Sequence, residues 1–388
     1  MKTINNIGPR IDPFADDGLL ISENEEEAEK NIQLLQRVAS KYGLEINKNK
    51  SQVMIMNAKE RVEEIGGIKV VKEMGYLGFT LSDGKDMFKE HKKRKIALAE
   101  KLANITYSVT SRSCNRMLVG KTYWKSVALP AILYGSNIIE WTEKEQERLQ
   151  IIQNGVCRKI LNAPSWASIA SLRGEIGIST MQKRIGEGRI QYVRNRQNEG
   201  NELIKFVITK LEENQGPWKR YSERQCNKIG LLKDSIHTLS KKEITMQTRK
   251  KDTAEWKEEM DKKTTLKYYR KFKKEIRQEV DYLNDRRSDL WYQARTNCLY
   301  LGDRKREDSA CKLCNEERED FSHMLLHCEK LSEERLRSIQ LQRPHIENEE
   351  DMICDFLNNE EEVNEKMEVL QAVWNKRDTL IRALNPNA

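Results

Sequence analysis

Between Ile11 and Leu81 the apolar positions switch repeatedly between an alternating and a helical spacing. Ile11 to Phe14 and Leu19 to Ile21 flank the pair Asp17-Gly18, a two-residue turn signal, and together they predict a β-hairpin. Ala28, Ile32, Leu35 and Ala39 then recur at helical intervals, which predicts a helix from Glu25 to Tyr42 stopped by Gly43. The runs Ser51 to Asn57 and Gly75 to Leu81 each read as a strand. This first segment is expected to be α+β.

Beyond Asp83-Gly84 strand signals fade and long helical periodicities take over, at Ala97 to Val109, Asn115 to Leu129 and Glu143 to Leu161, with Pro130 and Pro164 as punctuation. From about Gly188 to Glu279 charges dominate and apolar positions are few, so exposed helices over a thin core are expected. A segment with clustered Cys and His follows from about Arg286, then an acidic stretch (Glu347 to Glu365) and a last amphipathic helix through Leu384. No internal repeat is visible. The fold class is α+β, mostly α.

Composition sharpens this picture. At 388 residues the chain exceeds what a single core usually fills, and 34% charged against 38% hydrophobic residues concentrates burial in a few amphipathic elements. The net charge of +8 favours polyanionic partners, a signal that a merely soluble basic protein would share. No apolar run reaches the length of a membrane span, and MKTINNIGPR lacks the apolar core of a secretory signal. An intracellular protein is expected, nuclear or cytoplasmic, with no membrane partner. Five scattered cysteines (Cys114, Cys157, Cys226, Cys298, Cys354) do not form a disulfide framework.

Three features carry candidate chemistry. Asp16 and Asp17 are adjacent, and a tight hairpin tip lets both carboxylates serve one divalent cation, Mg²⁺ or Mn²⁺, as neighbours on a straight strand could not. An Asp-Asp-Gly hairpin is otherwise an ordinary solvated turn. Cys311-x₂-Cys314-x₈-His323-x₄-Cys328 has the spacing of a tetrahedral Zn²⁺ site, with His327, one helical turn beyond His323, as the competing fourth ligand. Lys92, Lys93, Arg94 and Lys95 form one basic cluster, which also has the form of a nuclear address. Lys267, Arg270, Lys271, Lys273 and Lys274, interleaved with Tyr268, Tyr269 and Phe272, form a second. Cations among aromatics suit RNA through phosphate contact and stacking, whereas a plain solvated helix would turn the same aromatics inward. There is no Ser/His/Asp or Cys/His nucleophile arrangement, no Walker-type loop and no dinucleotide fingerprint.

Phe14-Ala15-Asp16-Asp17 resembles the (Tyr/Phe)-Ala-Asp-Asp signature of reverse transcriptases. Gly43-Leu44-Glu45-Ile46-Asn47 with Lys50-Ser51 resembles the segment that follows the catalytic hairpin in that family, and Tyr76-Leu77-Gly78 its primer-grip hairpin. Leu133-Tyr134-Gly135 with Trp141 resembles the thumb of LINE-like elements, those without long terminal repeats; Ala294-Arg295-Thr296, Leu299 to Gly302 and the Cys/His spacing resemble their C-terminal zinc knuckle. The resemblance implies a partial palm at 1–85, a helical thumb at 86–187, a charged connector at 188–285, a zinc-knuckle module at 286–340, and an acidic tail with a last helix at 341–388. It implies Asp16 and Asp17 as catalytic Mg²⁺ ligands, Cys328 as the fourth Zn²⁺ ligand, and RNA and DNA as partners held in part by Lys50 and the two basic clusters. Tyr123, Trp124, Tyr134 and Trp141 are read as thumb core rather than a stacking platform, and Asn154, Arg158 and Lys159, on the helix after Trp141, as candidate phosphate contacts. Deoxynucleotides would be substrates of the complete parent protein.

Two-metal phosphoryl transfer also needs a third carboxylate, from a strand that in this family precedes the hairpin. Only fifteen residues stand before Asp16, and Asp12 belongs to the same hairpin arm. The expectation is therefore a C-terminal portion of a longer polymerase, without DNA synthesis of its own; a nucleic-acid-binding protein with no enzymatic role is the alternative.

Overall fold

Strands β1 (Arg10–Phe14) and β2 (Asp17–Ile21) pair antiparallel, from Arg10↔Ile21 to Phe14↔Asp17. The turn thus precedes Asp17, and Asp17-Gly18, expected as the turn, is paired strand. The reason is register: a turn at Asp17-Gly18 would set Ile11 opposite polar Asn24, whereas the observed one sets it opposite Leu20 and frees Asn24 to cap the next helix. The computed structural model describes residues 10–14, 17–56, 62–113, 115–197, 202–232, 235–278, 287–301, 310–316, 318–336, 348–358 and 362–384. These form two compact units, Met1–Ala97 and Leu98–Ala388.

In the first unit α1 (Glu25–Lys41) begins where the Asn24 side chain accepts the Glu27 N–H at 2.8 Å, with three glutamates on the positive end of the helix dipole. Its buried Ile32 packs on Ile65 and Ile68 of a second hairpin, β3 (Glu64–Ile65) and β4 (Ile68–Lys69). The stretch expected as a strand at Ser51 to Asn57 makes only an isolated parallel bridge, Val53 to Val70, with Asn57 outside the described residues. The single strand read from the pattern at Gly75 to Leu81 is instead a hairpin, as the resemblance of Tyr76-Leu77-Gly78 implied, β5 (Glu73–Tyr76) and β6 (Phe79–Ser82), because Leu77 and Gly78 both adopt positive φ, 45° and 77°, and reverse the chain.

Helix α2 (Lys89–Arg112) leads into the second unit. There α3 (Arg116–Tyr123) widens into a π-helical turn at Trp124–Ala128 before α4 (Leu129–Leu133). Pro130, expected to end the helix, stands in the first turn of α4 directly after the π-helical turn, and the chain stays helical through it to Leu133. Helix α5 (Glu143–Ile160) opens on a full capping box, Thr142 with Glu145, and α6 (Ile169–Ile176) ends on left-handed Gly177. Trp124, Ile132, Ile139, Trp141, Val156 and Leu172 are buried in this part of the unit, so Trp124 and Trp141 are core as expected, while Tyr134 is half exposed.

Helices α7 (Met181–Gln197), α8 (Glu202–Glu213), α9 (Pro217–Ile229), α10 (Lys241–Asp261) and the short α11 (Tyr269–Phe272) occupy the charged stretch. Its core is denser than expected. Ile190, Cys226, Ile229, Ile236 and Ile244 form one cluster; Ala170, Trp256, Met260, Leu266 and Tyr269 form another. The sparse apolar count misled because charged side chains are buried too. Arg173 and Asp252, each 2% exposed, pair at 2.7 Å, and the buried Arg189 guanidinium donates to the Asn137, Ile138 and Trp218 carbonyls. Helices α12 (Ser288–Arg295), α13 (Ser332–Leu336), α14 (Glu349–Leu357) and α15 (Val363–Leu384) complete the unit.

Candidate metal centre and catalytic hairpin

The Cys/His segment is built by short local devices. A bridge between Ala310 and Arg318 closes a loop in which Asn315 takes φ 63° and donates its N–H to the Cys311 carbonyl at 2.8 Å, turning the chain so that Cys311 and Cys314 face one another. Asp320 accepts the His323 N–H at 2.9 Å and starts the π-helical turn His323–His327, which delivers Cys328 at its end. Phe321, Met324, Leu325 and Leu331 are buried, and Met367, Leu370 and Val373 of α15 are buried along the helix that packs against this turn. Arg377 of α15 donates to Glu319 through Nε at 2.7 Å, a buried ion pair that ties the helix to the loop.

The ligand atoms of Cys311, Cys314, His323 and Cys328 all lie within 4.8 Å of one another. Cys311 Sγ is 3.9 Å from Cys328 Sγ, and Cys314 Sγ is 3.3 Å from His323 Nε2. Tetrahedral Zn²⁺ with Zn–S near 2.3 Å and Zn–N near 2.0 Å would space its ligand atoms by roughly 3.5–3.8 Å, so the donor set fits that ion. Burial, followed by the charge of Cys311, pushes the Cys328 thiol up to about 12, and burial also raises Cys311. Burial opposes ionisation at Cys314 as well, but the Glu316 N–H, Cys311 and His323 together outweigh it and hold that thiol below its usual value. A cation among three clustered thiols favours all of them as thiolates. His327 lies outside the group: its Nε2 meets Glu349 Oε1 at 2.7 Å, and the side chain is half exposed. Glu349 also accepts the Ser322 hydroxyl, and these two bonds hold its carboxyl below the ordinary range.

At the first hairpin, Asp17 is exposed beside the turn; Asp16 lies outside the described residues, as do the side chains of β1. Lys50 is exposed in the turn that follows Asn47.

The basic clusters are largely spent on internal partners. Lys92, 3% exposed, pairs with Asp86 at 2.7 Å; His91 is buried, stacked on Phe79 and accepting the Thr80 N–H at 3.2 Å. Arg94 reaches Glu73 at 3.3 Å, Lys93 pairs with Glu90, and burial lowers the Lys95 ammonium. In the second cluster Tyr268 and Tyr269 are buried, so the stacking platform is not formed by them. Lys271 faces Glu350 and Asp351 at 3.3 and 3.5 Å, Arg270 donates to the Asp261 carbonyl, and Lys267 lies 4.4 Å over Tyr268. Lys273 is buried and donates to the Arg277 carbonyl, while Lys274 donates to that of Arg270. Of the proposed phosphate contacts on α5, Asn154 is buried against Gln150 and Lys159 is exposed.

Sequence runs miss a different group of cations. Lys121 of α3 and Lys125 of the π-helical turn stand four residues apart and donate to the Gln278 side chain and the Gly177 carbonyl, and no local run signals them. Burial, then repulsion from Lys125 and Lys273, brings the Lys121 ammonium down to about 7.

Comparison with known proteins adds the following. Residues 5–81 match the family described as "Reverse transcriptase (RNA-dependent DNA polymerase)". The chain is also 28% identical over 158 residues to an uncharacterized transposon-derived protein of Caenorhabditis elegans, an overlap that covers 38% of this chain and 55% of the relative. The chain thus spans about half the length of that relative. Similarity to reverse transcriptases at residues 5–81 and to a transposon-derived protein therefore accompanies a helical unit with a Cys/His group. Among the described residues no helix is long and apolar enough to cross a membrane.

Proposed function

We propose that this chain is reverse-transcriptase polypeptide of a LINE-like, non-LTR retrotransposon, with part of the palm in residues 1–85, a helical thumb and connector behind it, and a structural zinc module near the C-terminus. The observation that carries the reading is the match at residues 5–81, which begins before the hairpin bearing Asp17 and ends within β6. The four-ligand Cys/His centre and the transposon-derived relative support it independently.

In this reading Asp16 and Asp17 hold the divalent cation, Mg²⁺ or Mn²⁺, that in the complete parent protein supplies Lewis acidity to deoxynucleotide transfer. A carboxylate beside a two-residue turn stays hydrated and reachable, which suits a site that must admit metal and phosphate together. Cys311, Cys314, His323 and Cys328 hold Zn²⁺ in a closed shell whose role is structural. RNA and DNA are the partners. Among the described residues β2 pairs only with β1, whose one acid, Asp12, lies on the same hairpin opposite Leu19, so no separate strand brings a third carboxylate and the isolated chain is expected to bind nucleic acid without extending a primer.

The test is primer extension on an RNA template with Mg²⁺, run beside nucleic-acid binding and zinc quantification on the same preparation. One zinc per chain, salt-sensitive RNA binding and no extension are expected. Robust DNA synthesis would refute the inactivity of the isolated chain, and absence of both zinc and RNA binding would refute the reading as a whole.

A further inference from the structure

Trp166 is the exception among the tryptophans. Trp124, Trp141, Trp256 and Trp291 are buried and Trp218 and Trp374 half-buried, whereas Trp166 is 48% exposed. Its edge is nonetheless anchored, because the indole N–H donates to the Cys298 carbonyl at 3.1 Å, across 132 residues of sequence. Tyr300, 63% exposed, stands beside it with ring centroids 6.0 Å apart and planes tilted by 47°. Both rings are carried on short, fixed turns. Ala167 is buried and its N–H donates to the Pro164 carbonyl at 3.0 Å. On the other side Cys298, Leu299 and Leu301 are buried, and the Leu301 N–H closes on the Leu299 carbonyl at 3.0 Å, so Tyr300 alone of that run is turned outward.

One exposed apolar side chain is ordinary, but two aromatics brought together from separate loops, with the indole N–H already satisfied, present a surface suited to another flat ring. A ring clamped between two parallel ones would need them about 7 Å apart, twice the carbon contact distance of ~3.5 Å. At 6.0 Å and 47° the pair takes nothing between its rings. The indole therefore supplies the stacking face, and the tyrosine meets the edge of what lies on it. Charge selects among flat ligands. The carboxylate bonded to this loop, that of Asp289, is already paired with Arg116 and accepts from the Asn162 side chain at 3.0 Å, so it does not favour a cationic ligand. Lys159, exposed in the last turn of α5, accepts the Asn162 N–H on its carbonyl at 3.3 Å as the same loop begins, and among the described residues its ammonium meets no carboxylate. An aromatic face beside an unspent cation suits a nucleotide.

We infer that Trp166, flanked by Tyr300, is a stacking platform for an unpaired nucleobase of single-stranded nucleic acid. The inference rests on the nucleic-acid reading above, and it supplies the stacking contact that Tyr268 and Tyr269, being buried, do not. A base inside a duplex covers its faces with its neighbours, so the platform selects unpaired segments; every base has such a face, so it selects no sequence. Stacking displaces no counterion, which sets it apart from phosphate contact.

The test uses the full chain and fluorescence anisotropy with a labelled single-stranded RNA, and with the same RNA annealed to its complement, across a salt series. Trp166→Ala is expected to weaken single-strand binding about tenfold and Tyr300→Ala by less, each with the slope of log K against log salt unchanged and duplex binding within about twofold of wild type. Trp166→Phe gives up the bond to Cys298 as the Ala variant does but keeps a ring, and should recover most of the affinity; Tyr300→Ala probes the site without touching that bond. Unaltered circular dichroism shows that the variants are folded. Single-strand affinity unmoved by both Ala variants, with wild-type binding intact, would overturn the platform alone and leave the pair as a contact for a protein partner. An equal loss on the duplex, or a Trp166→Phe variant as weak as Trp166→Ala, would overturn it as well. No binding by the wild type would overturn both the platform and the reading beneath it.

Discussion

Exchanging the two rival fourth ligands separates a metal centre from a chance cluster. Cys328→Ser removes an Sγ that sits 3.9 Å from that of Cys311 and is itself buried, whereas His327→Ala removes an exposed imidazole whose partner is Glu349. Structural zinc contributes about 10–16 kcal/mol of apparent binding free energy in small modules; shared over four ligands, that is roughly 3 kcal/mol each, or about a hundredfold in affinity. The His327 to Glu349 contact joins half-exposed groups and is worth about 0–1 kcal/mol, with no effect on metal. The assay is competition with a chromogenic zinc chelator on the whole protein, together with hydrogen exchange of α15. Cys328→Ser should lose zinc at about a hundredfold lower chelator concentration and speed exchange around Met367 and Leu370, which pack beside the centre. Retention of zinc by Cys328→Ser together with its loss from His327→Ala would refute the assignment.

Other outcomes follow from the second unit. Arg295→Met strands Glu175, whose Oε1 it meets at 3.3 Å with both groups buried and whose Oε2 has no partner, and should cost about 3–5 kcal/mol in urea unfolding; adding Glu175→Leu should recover most of that, and equal losses in both variants would count against the buried pair. Lys121→Met should stabilise the protein. Because the Lys121 ammonium is held near 7 when folded and at 10.5 otherwise, the wild type bears the full cost of its charge below about pH 7 and sheds it as pH rises toward 10.5; the variant's advantage should therefore shrink over that window, and a pH-independent difference would contradict it. Gly177→Ala meets both the positive φ and the Gln278 backbone, and is expected to lower the melting temperature more than Ala substitution at Gly188, around which there is open space. Ser240→Ala breaks the capping box of α10 and should cost about 1 kcal/mol by the same urea measurement.

What could be read from the chain, and what could not, divides on how local the cause is. Helix α1 from Glu25 and helix α5 from Glu143 start where their Asn24 and Thr142 caps place them, because capping and periodicity act within a few residues. The candidate Cys and His donors were legible from spacing, which left His327 as a rival that only the resemblance set aside; the π-helical turn brings Cys328 to the group and sends His327 to Glu349. Both hairpins were expected, but the pattern alone misplaced their turns, because register decides. Leu77 at positive φ is an unusual reversal that β-propensity at Gly75 to Leu81 conceals, and Asp17-Gly18 loses its turn to the pairing of Ile11 with Leu20. The charged stretch was misjudged because its burial is shared with Arg173, Lys183 and Arg189, whose partners lie tens of residues away. For the same reason Lys92 looked like part of an exposed run and is a buried ion-pair member.

The Arg377 to Glu319 pair and the apolar row on α15 close over the Cys/His centre from the far end of the sequence. All four donors leave the ribosome at least thirty residues before that helix begins at Val363. A nascent chain halted between the two would hold a complete set of sulfur and imidazole groups with no lid above them, open to oxidation or to the wrong ion. Translation to the last turn is thus part of how the metal would be secured, and a premature stop there would do harm out of proportion to the few residues it deletes.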